Sequence, residues 1–142
     1  MLKPIDTPTT EGIYFYKRPG WQFAARAHVV TADRGNGYEL CIRWKVGTLP
    51  EELKGCPEDA EWFQPVAQDC EGNEVKVWDT LRPKSMTDPR TAQTVTIVDV
   101  CGSDRELCFT LQKESRIQIG EDRDYLFNEQ SLRNSAWVKV GA

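Results

Sequence analysis

Hydrophobic and polar residues alternate with a period of two along most of the chain, the pattern of half-buried β-strands. Ile13 to Lys17 is the densest stretch. Tyr14 and Tyr16 fall on one face and Ile13 and Phe15 on the other, which predicts a strand covered on both sides. Trp21 to Thr31 predicts a second strand, with Trp21, Phe23, Ala25, Ala27 and Val29 in step. Arg34-Gly35-Asn36-Gly37 reads as a hairpin turn, because Gly and Asn tolerate the positive φ of tight turns. Tyr38, Leu40, Ile42, Trp44 and Val46 then alternate with Glu39, Cys41, Arg43 and Lys45, predicting a strand with one buried and one wet face.

Further along, Thr48-Leu49-Pro50-Glu51-Glu52-Leu53 predicts a short helical turn, since Thr can accept orphan N–H groups and Pro suits a first turn. Glu61 to Val66 predicts a short strand, Asp69 to Asn73 a turn, and Glu74 to Leu81 another strand. Thr94 to Cys101 and Leu107 to Gln112 predict a hairpin around Gly102-Ser103-Asp104-Arg105. Arg116 to Ile119 and Ala136 to Val140 read as short strands, and Asn128 to Leu132 as one helical turn. About eight short strands with close turns indicate a mainly β fold, a small barrel or sandwich. The reading favoured is two SH3-like or split-barrel halves packed together, residues 1–81 and 91–142, joined by residues 82–90 with Pro83 and Pro89; one continuous domain is the alternative.

With 142 residues, 28% of them charged and 10% aromatic, the composition is that of a globular domain. No run approaches the roughly 18 apolar residues of a membrane span, and Met1 to Asp6 lacks the apolar core of a signal peptide. A cytoplasmic location is therefore expected. The five cysteines, Cys41, Cys56, Cys70, Cys101 and Cys108, are odd in number and include no CxxC; with His28 the sole histidine, no zinc site is indicated. Reduced, partly buried thiols are expected, although Cys101 and Cys108 could lie diagonally across the predicted hairpin. No metal or other cofactor is implied.

Pro8-Thr9-Thr10-Glu11-Gly12-Ile13-Tyr14-Phe15-Tyr16, closed later by Glu61-Trp62-Phe63-Gln64-Pro65-Val66, resembles small accessory proteins of bacteriophages and prophages. The resemblance covers roughly the first half of the chain. It departs from the pattern at Gly12-Ile13, where an aromatic residue usually follows the glycine. It implies an origin on a phage or mobile element and transfers no catalytic residue.

Charge is distributed unevenly. Residues 1–50 carry a net +3, residues 51–81 a net −7, and residues 82–142 balance, within an overall −4. Glu51, Glu52, Glu58, Asp59, Glu61, Asp69, Glu71 and Glu74 are the candidate acidic surface, with Trp62 and Phe63 as candidate apolar anchors. Such a surface suits a protein partner with a basic groove, and a nucleic-acid-processing defence enzyme is the obvious owner of one. The expected function is thus a non-enzymatic protein-binding module, an inhibitor acting by occlusion or charge mimicry.

Two other readings compete. Tyr14, Tyr16, Trp21 and Trp44 with Lys17, Arg18, Arg26, Arg43 and Lys45 are the ingredients of a single-strand nucleic-acid groove, against which the overall acidity argues. Pro57-Glu58-Asp59 followed by Glu74-Val75-Lys76 superficially resembles a metal-dependent nuclease signature, in which carboxylates hold Mg²⁺ and a lysine positions water. Asp99, in step with Val95, Ile97 and Cys101, and Asp79, in step with Val75 and Val77, must each be paired or protonated if they face a core. His28 alternates with Ala27 and Val29 and is expected to point toward solvent or a polar neighbour.

Overall fold

The computed structural model describes residues 1–33, 35, 37–44, 48–50, 52–86, 93–103, 105–113 and 125–141. Its elements are almost entirely antiparallel strands, and the chain divides into two compact units, Leu2–Gln64 and Pro65–Ala142 together with Met1. No helix among the described residues is long and apolar enough to cross a membrane.

The first unit contains β1 (Leu2–Ile5), β2 (Gly12–Lys17), β3 (Ala25–Asp33), β4 (Tyr38–Trp44), β5 (Glu52–Gly55) and the start of β6 (Glu61–Gln68). They form a curled sheet in the order β1-β6-β2-β3-β4-β5. The expected two-sided burial of β2 is borne out: Ile13, Tyr14, Phe15 and Tyr16 are all buried. Tyr14 and Tyr16 face Ala27, Val29, Ile42 and Trp62, which together make this unit's apolar cluster. Register explains the grouping, because Tyr14 lies opposite Ala27, Val29 opposite Ile42 and Tyr16 opposite Trp62. His28 is half-buried opposite Ile13 and Arg43.

Two expectations fail in this unit. The strand after β2 begins at Ala25 rather than Trp21, and Trp21 and Phe23 are exposed. Gly20 explains the delay: at φ +84° it turns the chain, and the Trp21 N–H closes the turn on the Arg18 carbonyl. Residues 52–55 are not helical either. They form strand β5, with Leu53 opposite Arg43 and Glu52 opposite Trp44, so the backbone bonds of a neighbouring strand outweigh a weak local capping signal. Thr48, Leu49 and Pro50 are exposed, while Glu51 of that predicted turn and Val46 of the preceding strand lie outside the described residues.

In the second unit the end of β6 pairs with β7 (Glu74–Lys76). A five-stranded sheet follows in the order β11-β10-β9-β8-β12, from β8 (Thr80–Pro83), β9 (Val95–Ser103), β10 (Glu106–Lys113), β11 (Tyr125–Asn128) and β12 (Trp137–Lys139). Between β11 and β12 sits α1 (Glu129–Arg133), whose N-cap Asn128 accepts the Ser131 N–H at 2.7 Å. Leu81, Val95, Ile97, Val100, Leu107, Phe109, Leu111 and Leu132 are fully buried here, each contributing about 1.5–3 kcal/mol.

The strand expected over Glu74–Leu81 is broken at its centre. Asp79 accepts the Lys76 N–H at 2.9 Å and returns its own N–H to the Lys76 carbonyl, which folds residues 76–79 into a turn. Trp78, at the tip, has a φ of 78° and is exposed. The proposed link 82–90 is also relocated: Arg82 and Pro83 pair with β12 inside the sheet, and the division between units falls at Gln64/Pro65, within β6. The predicted strand Arg116–Ile119 lies outside the described residues.

Asp99 does not face the core. A β-bulge between Thr110 and Leu111 shifts the register, so that Val100 instead takes the inward position after Val95 and Ile97. Asp99 is half-buried, and its carboxylate accepts the Val100 N–H at 2.7 Å.

Candidate interaction surface

The chain leaves β2 at Lys17 and turns through Arg18-Pro19-Gly20 to Trp21, beside the turn at residues 58–59 that leads into β6. Lys17, Arg18, Pro19, Gly20, Trp21, Asp59 and Glu61 line a recess of about 330 Å³. Its aromatic wall continues inward as a stack. Trp21 lies 5.2 Å from Tyr16, Tyr16 lies 5.3 Å from Trp62 with rings 27° apart, and Tyr14 meets Trp62 edge-on at 6.5 Å. Such contacts contribute about 0.5–1.5 kcal/mol each beyond area burial and hold the partly exposed Trp21 ring on a rigid base. Burial pushes the Tyr16 phenol above its usual range, and the nearby Arg18 charge offsets part of that.

The charges in the recess are of both signs. Both Asp59 carboxylate oxygens lie 3.3 Å from the Arg18 guanidinium, a fork-to-fork pair. Each partner is about half exposed, at 50% and 51%, so this pair contributes no more than about 1 kcal/mol and mainly sets geometry. Glu61 stands opposite Lys17 in the β2–β6 register.

The candidate acidic residues separate into different roles. Glu52, Glu58, Asp59 and Glu61 are exposed in the first unit, and only Asp59 and Glu61 line the recess. Glu71 and Glu74 are exposed in the second unit; Glu71 lies 3.8 Å from Lys84, and Glu74 lines a cleft of about 370 Å³ with Val66, Gln68, Glu129 and Arg133. That cleft has no aromatic wall. Glu51 lies outside the described residues.

Three candidates are corrected. Asp69 is completely buried, and its carboxylate accepts the backbone N–H groups of Glu71, Asn73 and Lys139 and the Asn73 side chain, at 2.8–3.0 Å. Burial alone would raise its pKa, but those four donors together bring it below the usual carboxylate value. Trp62 is 2% exposed and belongs to the core, where its indole N–H has no hydrogen-bond partner among the described residues. Phe63 is half-buried opposite Phe15, an inward position rather than a free anchor.

The basic and aromatic candidates also divide. Tyr14 and Tyr16 are core residues, Arg18 is engaged by Asp59, and Lys45 lies outside the described residues. Trp44 is partly exposed, with the Lys54 ammonium 5.0 Å from its ring centroid. Glu58 and Asp59 belong to one compact unit and Glu74 and Lys76 to the other. Among the described residues no group of three or more His, Cys, Asp or Glu side chains is placed to hold a metal ion.

Sequence reasoning missed that the acidic and basic lists share one recess. The available signal was Pro19-Gly20 directly after the β2 pattern, a turn that withdraws Trp21 from any strand. Comparison with known proteins found no matching family model, no matching curated protein and no matching solved structure.

Proposed function

We propose that this chain is a non-enzymatic protein-binding module whose partner docks on the recess at Trp21. The observation that carries the reading is the composition of that recess: a rigidly backed, 38% exposed indole framed by Lys17, Arg18, Asp59 and Glu61. Tryptophan and arginine dominate the binding energy of protein interfaces, and mixed charge at a rim supplies orientation. The same mixture disfavours a nucleic-acid groove, because phosphate affinity needs uncompensated positive charge and here Asp59 already engages Arg18.

Within this reading occlusion is favoured over charge mimicry, since Asp69 is internal and Asp59 is paired. The resemblance to phage accessory proteins makes a host nucleic-acid-processing enzyme the partner class to test first. The full chain is immobilised and challenged with nuclease-treated host lysate, and the captured protein is then titrated against variants. Trp21→Ala is expected to weaken binding about thirtyfold, the effect of an interface residue worth about 2 kcal/mol. Unchanged affinity for both Trp21→Ala and Asp59→Lys would sink the recess as the docking site. Steep salt dependence that disappears when Glu51, Glu52, Glu58 and Asp59 are neutralised together would establish charge mimicry instead.

A further inference from the structure

Two of the five cysteines face each other directly across the β9–β10 hairpin: Cys101 is the register partner of Cys108. Directly opposed residues of an antiparallel pair have Cα atoms about 4.5–5.5 Å apart and side chains on the same face. A disulfide spans Cα separations of about 4.4–6.8 Å, a range that includes the spacing of directly opposed residues. Both thiols are free.

The pair also lies where a reagent can reach it. Val100, Leu107 and Phe109 carry this hairpin's core face, while Cys101 is exposed and Cys108 half-buried. Other cysteines lack this arrangement. Cys41 is buried with Gly55 as its register partner, and the Cys56 thiol is directed at the Leu40 carbonyl, 3.5 Å away.

We propose that Cys101 and Cys108 form a reversible dithiol–disulfide site that is oxidised by a small disulfide of the glutathione type. Exposure sets the order of events. The Cys101 thiol loses its proton and its sulfur attacks the oxidised glutathione, forming a mixed disulfide and expelling one glutathione thiolate. Cys108 then loses its proton and attacks the Cys101 sulfur, and the second glutathione leaves as thiolate. The two expelled thiolates take up the two protons, so the protein loses two hydrogens and one glutathione disulfide becomes two glutathiones. Burial holds the Cys108 thiol above its usual pKa, with the neighbouring Cys101 sulfur adding to the effect, which suits Cys108 to the second step.

The test uses the full chain equilibrated with mixtures of oxidised and reduced glutathione, quenched with an alkylating agent and digested with trypsin. Because Arg105 lies between the two cysteines, the bridge appears as two linked peptides that dithiothreitol separates. The linked pair is expected in the native chain at a glutathione ratio about tenfold less oxidising than the urea-unfolded chain requires, as pre-placed thiols have a higher effective concentration. Cys108→Ser is expected to trap a lasting glutathione adduct on Cys101, and Cys56→Ser and Cys70→Ser to leave the bridge intact. Full alkylation of both thiols under excess oxidised glutathione would overturn the proposal. So would equal bridging in native and unfolded chains, or accumulation of the mixed disulfide on Cys101 in the unmodified protein.

Discussion

Replacing Asp69 tests the energetics of the second unit most directly. Its Oδ1 accepts the Glu71 and Asn73 N–H groups, both at 2.9 Å, and its Oδ2 accepts the Asn73 side chain at 3.0 Å and the Lys139 N–H at 2.8 Å. In Asp69→Asn one oxygen keeps two of these bonds, but an amide NH₂ now opposes two donors or leaves them empty. At about 1–3 kcal/mol per buried unsatisfied group, with some relaxation of the turn, the expected loss is about 2–3 kcal/mol. Asp69→Ala removes all four acceptor contacts and is expected to cost about 3–5 kcal/mol. The control Glu71→Gln, exposed and only loosely paired, should stay within about 0.5 kcal/mol.

Urea unfolding followed by circular dichroism measures these losses. With a slope of about 1–3 kcal/mol per molar urea, Asp69→Asn should lower the midpoint by about 0.7–3 M. Amide exchange supplies a local reading, because the Lys139 N–H should lose protection selectively. The pH dependence follows from the sign of the shift. The folded pKa of Asp69 lies below its unfolded value, so its contribution is complete above the unfolded pKa of about 3.9 and fades as pH falls through the folded one. Wild type and Asp69→Asn should therefore converge in strong acid. A loss under about 0.5 kcal/mol at pH 7, or a gap that does not narrow as the pH falls below about 3.9, would refute the buried-acceptor account.

Other perturbations probe separate features. Trp62→Phe removes an unpartnered indole N–H at the expense of some packing, so it should change stability by less than about 1 kcal/mol, against about 3–5 kcal/mol for Trp62→Ala; equal losses in thermal melts would show that the N–H is satisfied. Trp78→Gly relieves a left-handed backbone at an exposed residue, and is expected to be neutral or to stabilise by up to about 1 kcal/mol; a clear loss would mean the ring packs in the folded state. Gly102→Ala should cost about 2 kcal/mol or more, because φ is +104° and a Cβ would collide with the Glu106 carbonyl oxygen. Gly35→Ala, also at positive φ but with open space around it, should cost only about 1 kcal/mol; equal effects would remove the steric argument.

Period-two alternation determined the mainly β class, the two-sided burial of Ile13–Tyr16 and the hairpin around Gly102, since these depend on neighbours within a few residues. The turn at 69–73 and the helical turn capped by Asn128 were legible for the same reason: short polar side chains bond nearby backbone. Tertiary structure alone decided which carboxylates reach solvent. Asp69 looks like any turn aspartate until the Lys139 N–H, 70 positions away in sequence, arrives to complete its shell. Asp99 leaves the core because a bulge adds one residue to β9, a change of register that alternation cannot announce. The recess at Trp21 likewise exists only once residues 17–21 and 59–61, some 40 positions apart, are brought together by the pairing of β2 with β6, so its mixed charge could not be read from either segment separately.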